Sequence, residues 1–231
     1  MKKWEEIPEC MRNKQVREYY DILVKKRGYL ILRRIFEFIT SAVLLVLLSP
    51  VFLILIIAIK LDSPGPVFFR QIRVTQYGRM FRILKFRTMI NNSDKTESLL
   101  TVSGCSRITK VGRIIRKYRL DELSQLIDVF LGNMSFVGTR PEVPKYVSSY
   151  TPEMLATLLL PAGITSEASI RYKDEDKLLA SSDDVENFYV EHVLPAKMTY
   201  NLKDIKQMSF RHDLSIIFRT LFTLHKNDHP K

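Results

Sequence analysis

One stretch decides the fold: Val111-Gly-Arg-Ile-Ile-Arg-Lys-Tyr-Arg-Leu-Asp-Glu-Leu-Ser-Gln-Leu-Ile-Asp-Val-Phe130. Its apolar residues recur at helical spacing, which predicts one helix with a single apolar face. Those residues are Ile114, Ile115, Leu120, Leu123, Leu126, Ile127 and Phe130. Basic residues, including Arg116, crowd the turns before two adjacent acids, Asp121 and Glu122. The rest of the chain is interpreted around this pair.

Neighbouring carboxylates repel each other, but basic residues one or two turns away lower their pKa values. We therefore expect both Asp121 and Glu122 to be ionised at neutral pH. An ionised pair can bind a divalent metal or attack phosphorus. The same residues also fit a solvated surface with ordinary helical ion pairs, and this stretch alone leaves both interpretations open.

Composition points to an anionic partner. The 231 residues carry a formal net charge of +11, and residues 60–148 alone carry a net charge of +9. Nucleic acid, an acidic membrane surface or a phosphorylated substrate would each suit this charge. The two cysteines, Cys10 and Cys105, form no CxxC motif, so neither a zinc site nor a disulfide framework is indicated.

An apolar run from Ile35 to Ile59 indicates a membrane segment, since Glu37 is its only charged residue. A straight helix of this length, at about 1.5 Å per residue, would exceed a hydrocarbon core of about 30 Å. Basic residues precede and follow the run, so the positive-inside rule assigns both ends to the cytoplasm. Ser49-Pro50 lies near its middle, where proline breaks or kinks a helix and serine can hydrogen-bond a freed carbonyl. A re-entrant hairpin bent there fits better than a plain spanning helix, in which Pro50 would be a harmless kink.

Two β-rich runs, Val67–Val74 and Met80–Met89, flank Gln76–Arg79 and predict a hairpin. Lys85 and Arg87 on the second run either project towards the basic centre or lie on a charged outer face. Asn91 to Ser106 is polar, which predicts a loop.

The segment Leu131–Pro144 is rich in Gly, Asn and Pro, which predicts an ordered loop rather than a long helix. An arginine followed by proline on such a loop, here Arg140-Pro141, suits a phosphate clamp. Outside this centre, residues 1–34 fit either a short amphipathic helix beside a membrane or a loosely ordered tail. Asp213–Leu224 is apolar on most sides and fits either an interfacial helix or a core helix.

Several motifs together resemble the bacterial sugar transferases, and specifically a small monotopic phosphoglycosyl transferase. The resemblance runs from about residue 31 to residue 224. The motifs are Arg33-Arg-Ile-Phe36, Ser49-Pro50, Asp62-Ser-Pro-Gly-Pro-Val-Phe-Phe-Arg-Gln71, Lys85-Phe-Arg-Thr-Met89, Leu120-Asp-Glu-Leu-Ser-Gln-Leu126, Gly132-Asn-Met-Ser-Phe-Val-Gly138 and Arg140-Pro141.

This resemblance implies transfer of a sugar-1-phosphate from a UDP-sugar to undecaprenyl phosphate, with release of UMP, at the start of surface glycan synthesis. It implies that Asp121 is the nucleophile of a covalent intermediate, assisted by Glu122 and Mg²⁺, with both acids as metal ligands. It also implies phosphate or substrate contacts for five residues: Lys85, Arg87, Arg116, Arg140 and Pro141. Membrane lipid is a further implied partner, a homodimer is allowed, and nucleic acid is not expected.

The sequence thus predicts an α+β, mostly helical fold, with a re-entrant membrane helix hairpin and a small cytoplasmic domain containing a short β-hairpin and interfacial amphipathic helices. The expected parts are a basic N-terminal segment (1–34), the membrane hairpin (35–60) and a catalytic domain (61–231) on the cytoplasmic face of the bacterial inner membrane. The alternative is a membrane-tethered basic module that binds anionic lipid or nucleic acid without catalysis.

The chain departs from the common family pattern at Thr139, where many members have proline, and at Arg119, where many have serine or threonine. The segment Gly163–Ile170 departs further, so the resemblance does not identify the sugar.

Overall fold

Helices dominate the computed structural model, which describes residues 1–90, 108–180, 182 and 184–225. Two small two-stranded sheets accompany them in these residues, so the predicted α+β, mostly helical class is confirmed. The expected loop Asn91–Ser106 lies outside the described residues. The helices are α1 Lys14–Lys25, α2 Arg27–Leu47, α3 Ser49–Asp62, α4 Lys110–Lys117, α5 Gln125–Leu131, α6 Pro144–Val147, α7 Glu167–Arg171, α8 Glu175–Leu179, α9 Val185–Phe188, α10 Leu194–Gln207 and α11 Phe210–His225, and the strands are β1 Phe68–Val74, β2 Met80–Phe86, β3 Met134–Val137 and β4 Ala162–Thr165.

Helix α1 is amphipathic, and its apolar face is covered by protein. Its N-terminus is capped by Asn13, whose side chain accepts a hydrogen bond of 2.9 Å from the backbone N–H of Val16. The buried side chains of α1 pack against α10 and the 3₁₀ turn Met154–Leu159. The N-terminal segment is therefore not a loosely ordered tail, and the apolar face of α1 is not free to contact lipid.

Helices α2 and α3 form a bent pair. Helix α2 begins at Arg27, upstream of the predicted start, and the chain bends by 60° between the two helix axes. The break falls at the predicted position, where the Ser49 hydroxyl donates a hydrogen bond of 2.8 Å to the carbonyl of Val46. Pro50 lies in the first turn of α3, where its missing N–H costs little. In the part of the chain described, no helix by itself is long and apolar enough to cross a membrane, whereas α2 and α3 together meet that criterion.

The outer surfaces of three helices expose large apolar side chains. On α2 and α3 these include Leu32, Val46 and Ile54, each more than 60% exposed. On α11, Phe218 and Phe222 are exposed, while Ile216 of the same helix is fully buried. Exposed apolar surface of this extent is typical of a membrane or protein contact.

Charged side chains attach the N-terminal half of α2 to the domain beside it. Arg33 forms an ion pair with Glu37 (Nε to Oε1, 3.1 Å) and donates to the Ser135 hydroxyl at 2.8 Å. All three residues are buried, and the Ser135 hydroxyl also donates to Glu37. The guanidinium of Arg34 caps α5 by donating to the carbonyls of Val129 and Phe130. The only acid of the apolar run therefore faces protein, and α2 is fixed to α5 and β3.

The predicted hairpin is confirmed. Strands β1 and β2 pair antiparallel, with Phe68 opposite Phe86 and Val74 opposite Met80. Strands β3 and β4 pair in parallel. They are joined through the segment that carries Arg140.

Candidate active site

The two adjacent acids lie on a short turn, so the prediction of one continuous helix from 111 to 130 was wrong. Helix α4 ends at Lys117, and Arg119 adopts a left-handed conformation with φ of 51°. A positive φ is costly for a residue with a side chain, so surrounding contacts must hold it. A 3₁₀ turn, Leu120–Ser124, follows and leads into α5. Asp121 and Glu122 are therefore presented on this turn.

The turn is held against the free edge of β2 by two side chains. The Ser124 hydroxyl donates to the carbonyl of Leu84 at 2.9 Å, and Asp128 accepts from the N–H of Leu84 at 3.1 Å. Together they satisfy the backbone carbonyl and N–H of Leu84, which a neighbouring strand would otherwise bond. Because Lys85 follows Leu84, this contact brings the lysine to the acids. Neither Ser124 nor Asp128 was predicted to have this role, although an aspartate between Ile127 and Val129 in an apolar pattern signals a buried acid that needs a partner.

Glu122 is held by two basic residues from different parts of the chain. Lys85 of β2 donates to its Oε1 at 3.1 Å, and Arg140 pairs with both carboxylate oxygens, the longer contact (Nη1 to Oε2) being 3.4 Å. The Glu122 side chain is only 14% exposed. Burial raises its pKa, but Arg140 and then Lys85 outweigh burial, so the pKa of Glu122 lies well below its usual value. Glu122 is therefore ionised, and both of its oxygens are paired with cations.

The surroundings of the Asp121 side chain differ from those of Glu122. The Asp121 carboxylate is half-buried and makes no side-chain hydrogen bond or ion pair with any other residue that the structure describes. Burial and then the Glu122 carboxylate raise its pKa, against the opposing charges of Lys85, Arg116 and Arg140. The basic neighbours act in the predicted direction, but the expectation of a lowered pKa was wrong, because the sequence does not show the burial that outweighs them. Among the described residues, the lone pairs of the Asp121 carboxylate have no partner, and the group lies within the field of three cations.

Arg116 is the third of these cations. It lies in the last turn of α4 and is half-buried, and its Nε donates to the Thr88 hydroxyl at 3.1 Å. Four predicted site residues thus meet around Asp121. They are Lys85, Arg116, Glu122 and Arg140.

The structure does not bring Arg87 into this group. Arg87 is buried, and its guanidinium donates to the backbone carbonyls of Ser63 and Pro64 at 2.6 and 2.8 Å. It thereby fastens the turn that follows α3. Its contact with substrate phosphates stays a prediction.

Pro141 is buried behind Arg140 and contributes through its backbone. Its carbonyl accepts a hydrogen bond of 3.1 Å from Arg73 of β1. The same loop passes close to β4, where a Cβ on Gly163 would lie 2.2 Å from the backbone nitrogen of Gly138. Only glycine fits at position 163, so any other residue would push the Arg140 loop away from Glu122.

The donor set around Asp121 fits a magnesium ion that completes its shell with water and substrate oxygens. Mg²⁺ is commonly bound by one or two carboxylates plus phosphate oxygens, with water completing its coordination. The oxygens of Asp121, which no other described residue binds, meet that need, whereas both oxygens of Glu122 already face cations. Within the described ranges, no cluster of three or more metal-ligating side chains is present. Asp121 is accordingly the better ligand of the two predicted.

Comparison with known proteins identifies the family of this sequence. The sequence model described as bacterial sugar transferase matches residues 28–227. The chain belongs to the bacterial sugar transferase family. The match covers α2 and α3, the acid pair and α11, so the family unit includes both the apolar helices and the candidate site.

Several relatives within the family have named activities. The UDP-glucose:undecaprenyl-phosphate glucose-1-phosphate transferase of Caulobacter vibrioides is 35% identical over 199 residues, which cover 85% of this chain and 70% of that protein. The UDP-N-acetylgalactosamine-undecaprenyl-phosphate N-acetylgalactosaminephosphotransferase of Aeromonas hydrophila is 33% identical over 199 residues, covering 85% and 44%. The UDP-glucose:undecaprenyl-phosphate glucose-1-phosphate transferase of Escherichia coli strain K12 is 33% identical over 197 residues, covering 83% and 40%. This chain spans less than half the length of the last two relatives.

Proposed function

We propose that this protein transfers a sugar-1-phosphate from a UDP-sugar to undecaprenyl phosphate and so starts synthesis of a surface polysaccharide or glycoconjugate. The observation that carries the proposal is the carboxylate of Asp121, which is half-buried among Lys85, Arg116 and Arg140 and is unpaired within the described part of the chain. The names of the relatives support the donor and the acceptor.

In the first step, an oxygen of Asp121 attacks the phosphorus that carries the sugar. The bond between that phosphorus and the bridging oxygen of the diphosphate breaks, and UMP leaves with the electron pair. Asp121 then carries the phospho-sugar as an acyl phosphate. In the second step, a phosphate oxygen of undecaprenyl phosphate attacks the same phosphorus, which frees Asp121 and forms a diphosphate-linked sugar lipid. No proton is needed in either step, because both nucleophiles react as anions.

The basic residues supply the electrostatic stabilisation that both steps require. Attack of one anion on another is slow unless the charge on phosphorus and on the leaving group is neutralised. Arg140 and Lys85 are oriented by Glu122, so their donors are preorganised before the substrate arrives. Arg116 adds a third positive charge beside the nucleophile. Mg²⁺, when bound by Asp121 and the diphosphate oxygens, would act as a Lewis acid on the transferred phosphoryl group.

The apolar faces of α2, α3 and α11 are proposed to lie in and on the bacterial inner membrane, with the catalytic domain on the cytoplasmic face. This arrangement covers the exposed apolar side chains, and it suits an acceptor whose polyprenol chain is confined to lipid. The bend at Ser49 lets α2 and α3 enter and leave on the same side. Asp62 at the end of α3 accepts a hydrogen bond of 3.0 Å from Val111 of α4, which connects the membrane pair to the site.

The topology predicts a labelling result. With Cys10 and Cys105 replaced by serine, single cysteines at Lys25 and Lys110, which flank the α2–α3 pair, are expected to react with an impermeant maleimide only in inside-out membrane vesicles. Both ends of a re-entrant pair lie on the cytoplasmic side. Labelling of one site in intact spheroplasts and of the other in inverted vesicles would mean that the pair crosses the membrane.

Release of UMP tests the function itself. Detergent-purified protein, Mg²⁺ and undecaprenyl phosphate are incubated in turn with UDP-glucose, UDP-N-acetylgalactosamine and other UDP-sugars, and UMP is measured by chromatography. We expect release of UMP with at least one donor. Release of more than one UMP per enzyme molecule should require the lipid acceptor. A non-catalytic module that binds anionic lipid or nucleic acid would release none.

The raised pKa of Asp121 predicts the pH dependence of the reaction. Only the ionised carboxylate attacks, and a raised pKa means that Asp121 takes up its proton at a higher pH than an ordinary aspartate of pKa 3.8. As pH falls, kcat/KM should therefore decline with an apparent pKa above 3.8. Arg116→Gln removes a charge that lowers this pKa and should move the decline to higher pH, whereas Arg116→Lys should leave it in place. A decline at the same pH in both variants would contradict this assignment.

A further inference from the structure

A buried polar network lies behind the loop that carries Arg140. Glu142, two residues after Arg140, is 7% exposed and accepts a hydrogen bond of 2.6 Å from the Tyr189 hydroxyl. Arg73 approaches the same carboxylate at 3.8 Å and donates to the carbonyl of Pro141. The loop is thus anchored on its inner side by side chains that do not touch Glu122.

Lys197 connects this network to helix α8. The Lys197 side chain is buried, and its ammonium donates to Glu175 Oε2 at 2.8 Å and to the Tyr189 hydroxyl at 3.3 Å. Glu142 Oε1 lies 3.8 Å from the same nitrogen. A buried ammonium is costly unless its three donors are engaged, so these contacts form one unit. Because Glu175 is the first residue of α8, Lys197 joins α8 to the Arg140 loop.

A π-helical turn, Tyr189–Val193, makes this unit possible. Residues eight apart on an α-helix point about 80° from each other, since each residue turns the helix by about 100°. A π turn inserts one extra residue, which reduces that difference to about 20°. Tyr189 and Lys197 therefore project to the same side, towards Glu142. A π turn costs backbone energy and is frequently found at functional sites.

The segment that leads into α8 contacts Arg119, which precedes the turn that carries Asp121. Glu122 is the largest cause of the raised pKa of Arg140, against burial, and Glu175 also contributes to raising it. At the start of the segment, the Arg119 guanidinium donates to the carbonyl of Lys173 at 3.4 Å. Arg119 therefore holds the segment before α8, and Lys197 holds the first residue of α8, Glu175.

We infer that Lys197 and Glu175 are positioning residues for the nucleotide-sugar donor, and that their ion pair holds α8 against the Arg140 loop to form one wall of the donor site. The inference rests on the proposed function. The donor is favoured over the lipid acceptor because none of the network residues lies on α2 or α3, the helices with the exposed apolar faces from which the acceptor would approach.

The test compares Lys197→Met and Glu175→Gln with the wild type in steady-state assays. Each variant should raise KM for the UDP-sugar about tenfold, with kcat and the KM for undecaprenyl phosphate unchanged, because misplacement of a binding wall weakens donor binding without removing the reacting groups. The double variant should raise KM no more than either single variant, since both act through one contact. Lys203→Met on the exposed side of α10 and Glu191→Gln, also exposed, are matched controls that should behave as wild type.

The inference is overturned if KM for the donor stays at the wild-type value, if donor and acceptor KM rise together, or if the two single effects add. Because Lys197 is buried and its variant can lose stability, Glu175→Gln, at a half-exposed position, gives an independent result. Binding of UDP, measured by calorimetry, should weaken about tenfold in both variants. This readout does not need turnover, so failure of the wild type to release UMP would count against the proposed function and not against the positioning roles.

Discussion

Replacing Asp121 by asparagine is expected to abolish UMP release, with a loss in kcat of about 10⁴-fold or more. The amide has nearly the same shape as the carboxylate, but it carries no negative charge and is a poor nucleophile. Since Asp121 has no hydrogen-bond or ion-pair partner among the described residues, the substitution breaks no contact that holds the turn. The protein should therefore keep its fold and its affinity for UDP while losing the chemistry.

A matched control is Asp21→Asn. Asp21 lies on α1 in an exposed pair with Arg17, far along the chain from the site, and its side chain is 53% exposed. This variant should release UMP at the wild-type rate. Turnover near wild type in Asp121→Asn would remove Asp121 from the role of nucleophile, whatever the control shows.

Replacing Arg33 by alanine is expected to have the largest effect on stability. Arg33 is buried, pairs with Glu37 at 3.1 Å and with Asp213 at 3.3 Å, and also binds Ser135. Its removal leaves two buried carboxylates without their cation, which costs about 3–5 kcal/mol. In a chain of this size, that loss lowers the melting temperature by about 10 °C. Calorimetry or circular dichroism in detergent micelles would measure it.

A double variant distinguishes loss of the ion pair between Arg33 and Glu37 from loss of the Arg33 side chain. In Arg33→Met with Glu37→Met, the acid on α2 is removed with the cation, so the double variant should be more stable than Arg33→Met alone. Asp21→Asn, which removes the charge of the exposed pair with Arg17, should cost less than about 1 kcal/mol. A fall in stability for Arg33→Ala no larger than for Asp21→Asn would mean that Arg33 does not anchor α2.

Local patterns in the sequence predicted several parts of the fold correctly. The alternation around Gln76–Arg79 predicted the hairpin, and Ser49-Pro50 gave the position of the bend, because proline and turn residues act through their own backbone geometry. The residues that meet at the site, Lys85, Glu122 and Arg140, were found by their chemistry and by resemblance. Their distances could not be predicted, since they depend on the contact of β2 with Ser124.

The errors have a common physical cause, which is tertiary contact that overrides a local pattern. Helical spacing from 111 to 130 does not show that Arg119 takes a positive φ. Nothing local shows that Arg87 is used to hold the turn after α3, or that Glu37 faces protein within an apolar run. The pKa of Asp121 was assigned the wrong direction for the same reason, because burial is a property of the folded chain.

In the proposed mechanism, Asp121 becomes covalently bonded to the phospho-sugar during turnover. The most direct test is mass spectrometry of enzyme mixed with the UDP-sugar that it uses, without undecaprenyl phosphate, and quenched in acid. We predict an intact mass increased by one sugar phosphate, located on the peptide that contains Asp121, absent from Asp121→Asn and lost when the acceptor is added before the quench. Release of UMP and transfer to lipid with no such adduct on Asp121 would contradict the account.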